Sequence, residues 1–127
     1  MYFLEHVVRM GRADNRDIFA RDALLMPSSV GITSEVRRNP NAIGYDGLGY
    51  VDAAHEKLIA VAVDANSTYV LPSVASGADG SYPIARALYM YTAGAPSGAI
   101  REYIDWIRGP DGQAIVADLG FVPLPQE

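Results

Sequence analysis

No cysteine occurs in the 127 residues. Disulfides and thiolate metal sites are therefore excluded. Histidine is scarce as well: only His6 and His55 are available, and they do not stand at the spacing of a zinc protease. No apolar run approaches the roughly 18 residues that a membrane span needs. Positive charge is in the minority, with ten Lys and Arg against fifteen Asp and Glu and a net charge of −5. Nucleic-acid binders present a basic face, so that class is disfavoured. There is no Gly-x-Ser-x-Gly elbow and no phosphate-cradling P-loop. Gly44, Gly47 and Gly49 have the wrong order of spacings for a dinucleotide turn. The opening, Met1-Tyr2-Phe3-Leu4-Glu5-His6, lacks the basic-then-apolar pattern of a secretory signal. A nucleophile with a positioned base and orienter is nowhere legible. The expectation is a protein that is not an enzyme and uses neither cofactor nor metal.

What is present describes one globular domain. Half the residues are apolar and a fifth charged, and the length suffices for a real core. Phe3, Leu4, Val7 and Val8 recur at helical spacing, with Gly11 as the stop. No capping residue precedes this helix, so the chain is expected to start inside it. Residues 12–22 are charged and mixed. They lack the central Gly and closing Glu of a calcium loop, which leaves a solvated surface. Ala23-Leu24-Leu25-Met26, ending at Pro27, predicts an edge strand.

Ser28 or Ser29 then starts a helix that runs to about Arg38, with Ile32 and Val36 on one face. A hydroxyl pair at a helix N-terminus suits either of two roles. It can cap the helix, or it can help bind an anion, since free N–H groups point outward there. Asn39 and Pro40 end this helix, Asn39 in the left-handed conformation. Ala42-Ile43-Gly44-Tyr45 reads as a short buried strand. The glycines at 44, 47 and 49 permit close backbone approach or positive φ.

After a polar connection at 52–56, Lys57 to Val63 predicts a strand. Residues 64–81 read as one long irregular loop. Residues 82–84 and 86–91 read as β-type chain, with Leu88 and Met90 alternating with Ala87, Tyr89 and Tyr91. These tyrosines suit core or interface rings, or a ligand-stacking stripe. Ser97 opens a helix with Ile100, Tyr103, Ile104 and Ile107 as its apolar stripe. Gly109 ends it, and Pro110 begins another at its favoured first position. Ile115, Val116 and Leu119 form that helix's stripe, and Gly120 stops it. Phe121 to Pro125 is a tail docked by Phe121 and Leu124.

Several phrases together resemble one family. They are Ser28-Ser29 before a helix ending at Asn39-Pro40; Ala42-Ile43-Gly44-Tyr45-Asp46-Gly47-Leu48-Gly49-Tyr50; Tyr82-Pro83-Ile84-Ala85-Arg86-Ala87-Leu88-Tyr89; Ile104-Asp105-Trp106-Ile107 through Gly109-Pro110-Asp111-Gly112-Gln113; and Gly120-Phe121-Val122-Pro123-Leu124. The set is similar to the C-terminal part of the periplasmic phosphate-binding protein of bacterial ABC phosphate importers.

The resemblance implies an α/β, type II periplasmic-binding-protein-like fold. Residues 1–81 would be half of lobe two, and residues 82–127 the hinge strand and C-terminal helices that return to lobe one. Inorganic phosphate would bind between the lobes of the full-length form, and the importer's membrane subunits would be partners in the periplasm or another extracytoplasmic space. The family's Arg…Ser-Gly-Thr phosphate motif would precede the first helix, and this sequence has no such phrase. Only Ser28 and Ser29 stand as candidate phosphate contacts. The alternative expectation is a small self-associating α/β interaction module, a homo-oligomer through uncovered sheet edges, that binds no phosphate.

Overall fold

The structure is a computed structural model that describes residues 2–125. Along the chain it contains a π-helical turn at Leu4–Val8, helix α1 at Ser29–Arg38, a 3-10 turn at Leu48–Tyr50, and helices α2 at Val74–Ala78, α3 at Gly98–Arg108 and α4 at Pro110–Asp118. The expected start of the first helix at Met1 lies outside the described residues.

The first helix is wider than its periodicity implies. The Arg9 N–H donates to the Leu4 carbonyl at 2.9 Å and Gly11 to Glu5 at 2.8 Å. Met10 and Gly11 both take positive φ, +54° and +67°, so the chain leaves the helix through the left-handed region, which a glycine adopts without strain. Leu4 beneath this turn is buried. Tyr2 joins the turn to a distant segment: its hydroxyl donates to the Ala85 carbonyl at 3.2 Å, and the Arg86 guanidinium lies 5.8 Å from its ring centre.

Helix α1 begins as its sequence dictates. Ser28 is extended at the N-cap, and its hydroxyl accepts the Gly31 N–H at 3.2 Å. Its end differs from expectation. Asn39 is extended, at φ −117° and ψ 105°, and not left-handed. Pro40 supplies the reason, because its ring crowds the residue before it out of helical space. The Asn39 side chain then accepts the Asn41 N–H at 3.0 Å.

The expected strands at 23–26, 42–45, 57–63, 82–84 and 86–91 carry no ladder. Among the described residues, one isolated antiparallel bridge, Val61 with Val70, is all the β pairing there is. A strand is defined by its neighbour, and apart from this one bridge at Val61 these segments pair with nothing among the described residues. Residues 42–45 instead lie across α1, where a Cβ on Gly44 would fall 2.9 Å from Ile32 and 3.0 Å from Val36.

The long loop expected at 64–81 contains a helix. Helix α2 is closed by a reciprocal cap. Ser73 Oγ accepts the Ser76 N–H at 3.0 Å, and Ser76 Oγ accepts the Ser73 N–H at 2.9 Å. The buried Ser76 hydroxyl also donates to the Leu71 carbonyl at 2.7 Å.

The most extensive contact between two elements is at the C-terminal end, between α3 and α4. Gly112 lets α4 press against α3, since a Cβ there would fall on the Ile107 carbonyl oxygen. Gln113, buried, donates through Nε2 to that carbonyl at 2.8 Å and accepts the Leu124 N–H at 2.6 Å. The tail then crosses the molecule. The Phe121 ring meets Tyr50 edge-on at 5.7 Å and covers Gly47 and Gly49, while Val122 covers Gly77. Ser97 stands at the N-cap of α3, but its hydroxyl makes no capping bond. The stripe expected to be core on α3 is only partly covered: Ile104 and Ile107 are half-buried, whereas Ile100 and Tyr103 are exposed.

Candidate functional site

The two hydroxyls singled out by sequence open α1, and each has a protein partner. Ser28 closes the helix's own first turn. One residue on, Ser29 donates its hydroxyl proton to Asp46 Oδ1 at 3.0 Å. The same oxygen accepts the Gly47 N–H at 2.8 Å. The second oxygen of Asp46, Oδ2, is buried with no hydrogen-bond partner among the described residues.

A carboxylate beside a helix N-terminus is well placed, because the helix dipole favours negative charge there. The same fact changes what the Ser28–Ser29 pair can do. An added anion at the Ser29 hydroxyl would approach Asp46. Two like charges 4 Å apart repel by about 1 kcal/mol in water and about 4 kcal/mol near a protein surface. Sequence reasoning read Ser29 and missed Asp46. The two residues are seventeen apart, and nothing local signals their pairing. Only Gly47, which leaves its N–H free to reach back, marks the turn.

A second polar cluster joins the end of α1 to the turn at 52–56. Arg37 pairs with Asp52 at 2.8 Å and with Glu56 at 3.3 Å. His55 Nδ1 lies 2.8 Å from Asp52 Oδ2. The hydrogen bond from His55 and the Ala54 backbone N–H hold the Asp52 carboxyl below its ordinary value. His55 is exposed, with this one contact to Asp52. A His–Asp pair is two thirds of a hydrolytic triad, yet among the described residues no hydroxyl is bonded to this imidazole. No group of three or more metal-ligating side chains exists among the described residues either. On the helix surface, Arg101 and Asp105 form an exposed pair at 3.4 Å.

An open cleft of about 290 Å³ lies at the end of the π-helical turn, lined by Glu5, His6, Arg9, Arg12 and Asn15 among others. Arg9 is steadied there by donating to the Asp17 carbonyl at 2.8 Å. His6 stacks on the Tyr2 ring at 4.2 Å.

Against this geometry the comparisons with known proteins define the class. A PBP superfamily domain matches residues 3–111, so the chain belongs to the PBP superfamily, whose type II periplasmic-binding-like fold the sequence anticipated. Among individual proteins, it is similar to the phosphate-binding protein PstS of Pseudomonas aeruginosa, 30% identical over 103 residues, which are 78% of this chain and 32% of that protein. It is 32% identical over 98 residues to PstS of Bacillus subtilis, covering 76% of this chain and 31% of the relative. It is 31% identical over 111 residues to PstS 2 of Streptococcus pneumoniae, covering 87% and 36%. The chain thus spans about a third of the length of the curated relatives it matches. No solved structure gives a significant match.

Proposed function

We propose that this chain is part of a solute-binding protein that captures inorganic phosphate between two lobes for an ABC-type importer. It acts as a binding protein and not as an enzyme, in the periplasm or another extracytoplasmic space. The importer's membrane subunits are its partners there. Residues 1–81 correspond to part of the second lobe, and residues 82–127 to the hinge strand and C-terminal helices of the first. The observation that carries this reading is the match to PstS proteins of three bacteria over 76–87% of the chain. The absence of a helix long and apolar enough to cross a membrane, among the described residues, is compatible with it.

Within the chain, Ser28 and Ser29 are the candidate phosphate contacts. Because both hydroxyls are engaged, any contribution they make is secondary to contacts from outside this sequence. The chain by itself is therefore expected to bind phosphate weakly. Calorimetry tests the reading on this chain combined with the part of the P. aeruginosa relative outside the matched stretch. Heat of micromolar or tighter phosphate binding is expected, reduced by Ser28→Ala or Ser29→Ala and absent with the chain alone. A formed complex that gives no heat with phosphate would contradict the assignment.

A second reading is favoured by one specific observation, the exposure of Leu88, Tyr89, Met90 and Tyr91. In that reading the chain is a self-associating α/β interaction module, a homo-oligomer without phosphate binding.

A further inference from the structure

The open cleft at the end of the π-helical turn is cationic in an acidic protein. Its lining holds two guanidiniums, Arg9 and Arg12, against one carboxylate, Glu5, whereas the whole chain carries −5. Among the described residues, neither arginine takes part in an ion pair. The backbone that shapes the cleft is unusual as well. The turn before it is π-helical, closed by the Arg9 N–H on the Leu4 carbonyl, and single turns of this kind are frequent at functional sites. Met10 then stands at φ +54°, a left-handed conformation that a residue with a side chain adopts only at a cost. Strain of this sort persists where the surrounding structure holds it, often around ligands. The bend brings Arg12 back to Arg9, whose carbonyl accepts the Arg12 N–H at 3.0 Å.

Three of the lining side chains are steadied by a bond that leaves polar atoms over. Arg9 Nε donates to the Asp17 carbonyl at 2.8 Å. Both terminal amino groups of that guanidinium remain without an acceptor among the described residues. Asn15 Oδ1 accepts the Asp17 N–H at 2.8 Å, so the donor end of its amide is the free one. His6 Nδ1 lies 3.2 Å from the Tyr2 carbonyl. A carbonyl can only accept, so Nδ1 carries the proton, and Nε2 has no protein partner among the described residues. Stacking on Tyr2 at 4.2 Å holds the imidazole ring in place.

We propose that this cleft binds a small phosphate monoester, at a site that shares no residue with Ser28, Ser29 and Asp46. Guanidinium groups recognise oxyanions through paired N–H···O bonds. A carboxylate presents two oxygens and a single charge. A phosphate monoester presents three oxygens and a charge of about −1.5 to −2 at neutral pH, which suits two guanidiniums and an amide together. The cleft of about 290 Å³ is about ten times the volume that one water takes up, so the organic part of the ester has room. Because the cleft is open to water, salt screens the attraction. Nothing in this assignment depends on phosphate capture between two lobes.

The test titrates the nitrogen-15-labelled full chain with glycerol phosphate at low salt. NMR follows the backbone amides and the arginine Nε–H signals. The expected result is saturable shifts at Arg9 and Arg12, with a Kd of about 1 mM or tighter. Arg12→Gln should weaken binding about tenfold or more. Arg9→Lys should do the same, because lysine keeps the charge but loses the fork. Glutarate, a dicarboxylate, should bind at least about tenfold more weakly than the ester. Arg21→Gln, at an exposed residue outside the cleft, should leave the affinity unchanged. Amide spectra of the variants should match the parent chain away from the cleft, which separates lost binding from lost folding. An equal loss in Arg21→Gln would reveal diffuse attraction to a basic stretch and overturn the site. Shifts centred on Ser28 and Ser29 would overturn its placement. Glutarate binding as tightly as the ester would overturn the choice of ligand, and the absence of any saturable shift would overturn the proposal altogether.

Discussion

The α3–α4 hairpin with its tail and the segment 86–91 are near neighbours in sequence and opposite in character. In the hairpin, polar groups are answered locally: Gln113 serves both the Ile107 carbonyl and the Leu124 N–H. Segment 86–91 is at least as apolar, yet its side chains face solvent. The contrast shows that apolar composition alone does not make a core. Helix bonds close within a few residues, so α3 and α4 form from their own sequence. A strand's bonds close only with a neighbour, and this chain brings no neighbour to 86–91.

The comparison can be broken at its stronger side first. Gly112→Ala places a Cβ on the Ile107 carbonyl oxygen and is expected to cost about 2–3 kcal/mol. Urea unfolding followed by the fluorescence of Trp106, the single tryptophan, reads the change. Gln113→Ala removes the hydrogen bonds to the Ile107 carbonyl and from the Leu124 N–H, for a loss of about 2 kcal/mol by the same assay. Ser28→Ala removes the α1 cap and should lower helix stability by about 1 kcal/mol, seen in thermal melts at 222 nm. At the other side of the comparison, Leu88→Ala should change the stability of the chain alone by less than about 0.5 kcal/mol, because Leu88 is largely exposed. A loss comparable to that of Gly112→Ala would erase the distinction.

The smallest expected effect concerns pH at the Arg37–Asp52–His55 cluster. The folded Asp52 carboxyl lies below its ordinary value, chiefly through the His55 hydrogen bond. A depressed carboxyl stabilises the fold above its unfolded pKa of about 3.9 and loses that effect as pH falls through the folded value. Because the cluster is exposed, the change is minor and confined to acid. Titration of the Asp52 carboxyl by carbon NMR should show its midpoint rising toward the ordinary value in His55→Ala. An unmoved midpoint would remove His55 as the main cause.

The legible parts of the chain were those governed by local rules. Ser28, Pro40, Gly109 and Pro110 bracket α1, α3 and α4 because caps and breakers act on their own neighbours. Helix α2 escaped notice for two physical reasons. It is only five residues long, too short for periodicity to show. Its cap also uses Ser76 where a glutamate or glutamine is the usual signal. Asn39 was given the wrong conformation because the restriction imposed by Pro40 outweighs asparagine's tolerance for the left-handed region. The strands at 57–63 and 86–91 were legible as pattern but did not form, since patterning sets which face is apolar and not what pairs with it. At the candidate site, Ser28 and Ser29 could be read from the helix start. Asp46 could not, because its bond to Ser29 exists only once 46 has folded back across α1.

Hydrogen–deuterium exchange on the isolated chain, resolved by mass spectrometry, tests the central contrast most directly. The account predicts protected amides at residues 101–109 and 113–118, behind the unbonded first turns of α3 and α4, and near-unprotected exchange at 86–91. Slow exchange at 86–91 in a chain shown to be monomeric and alone would contradict it.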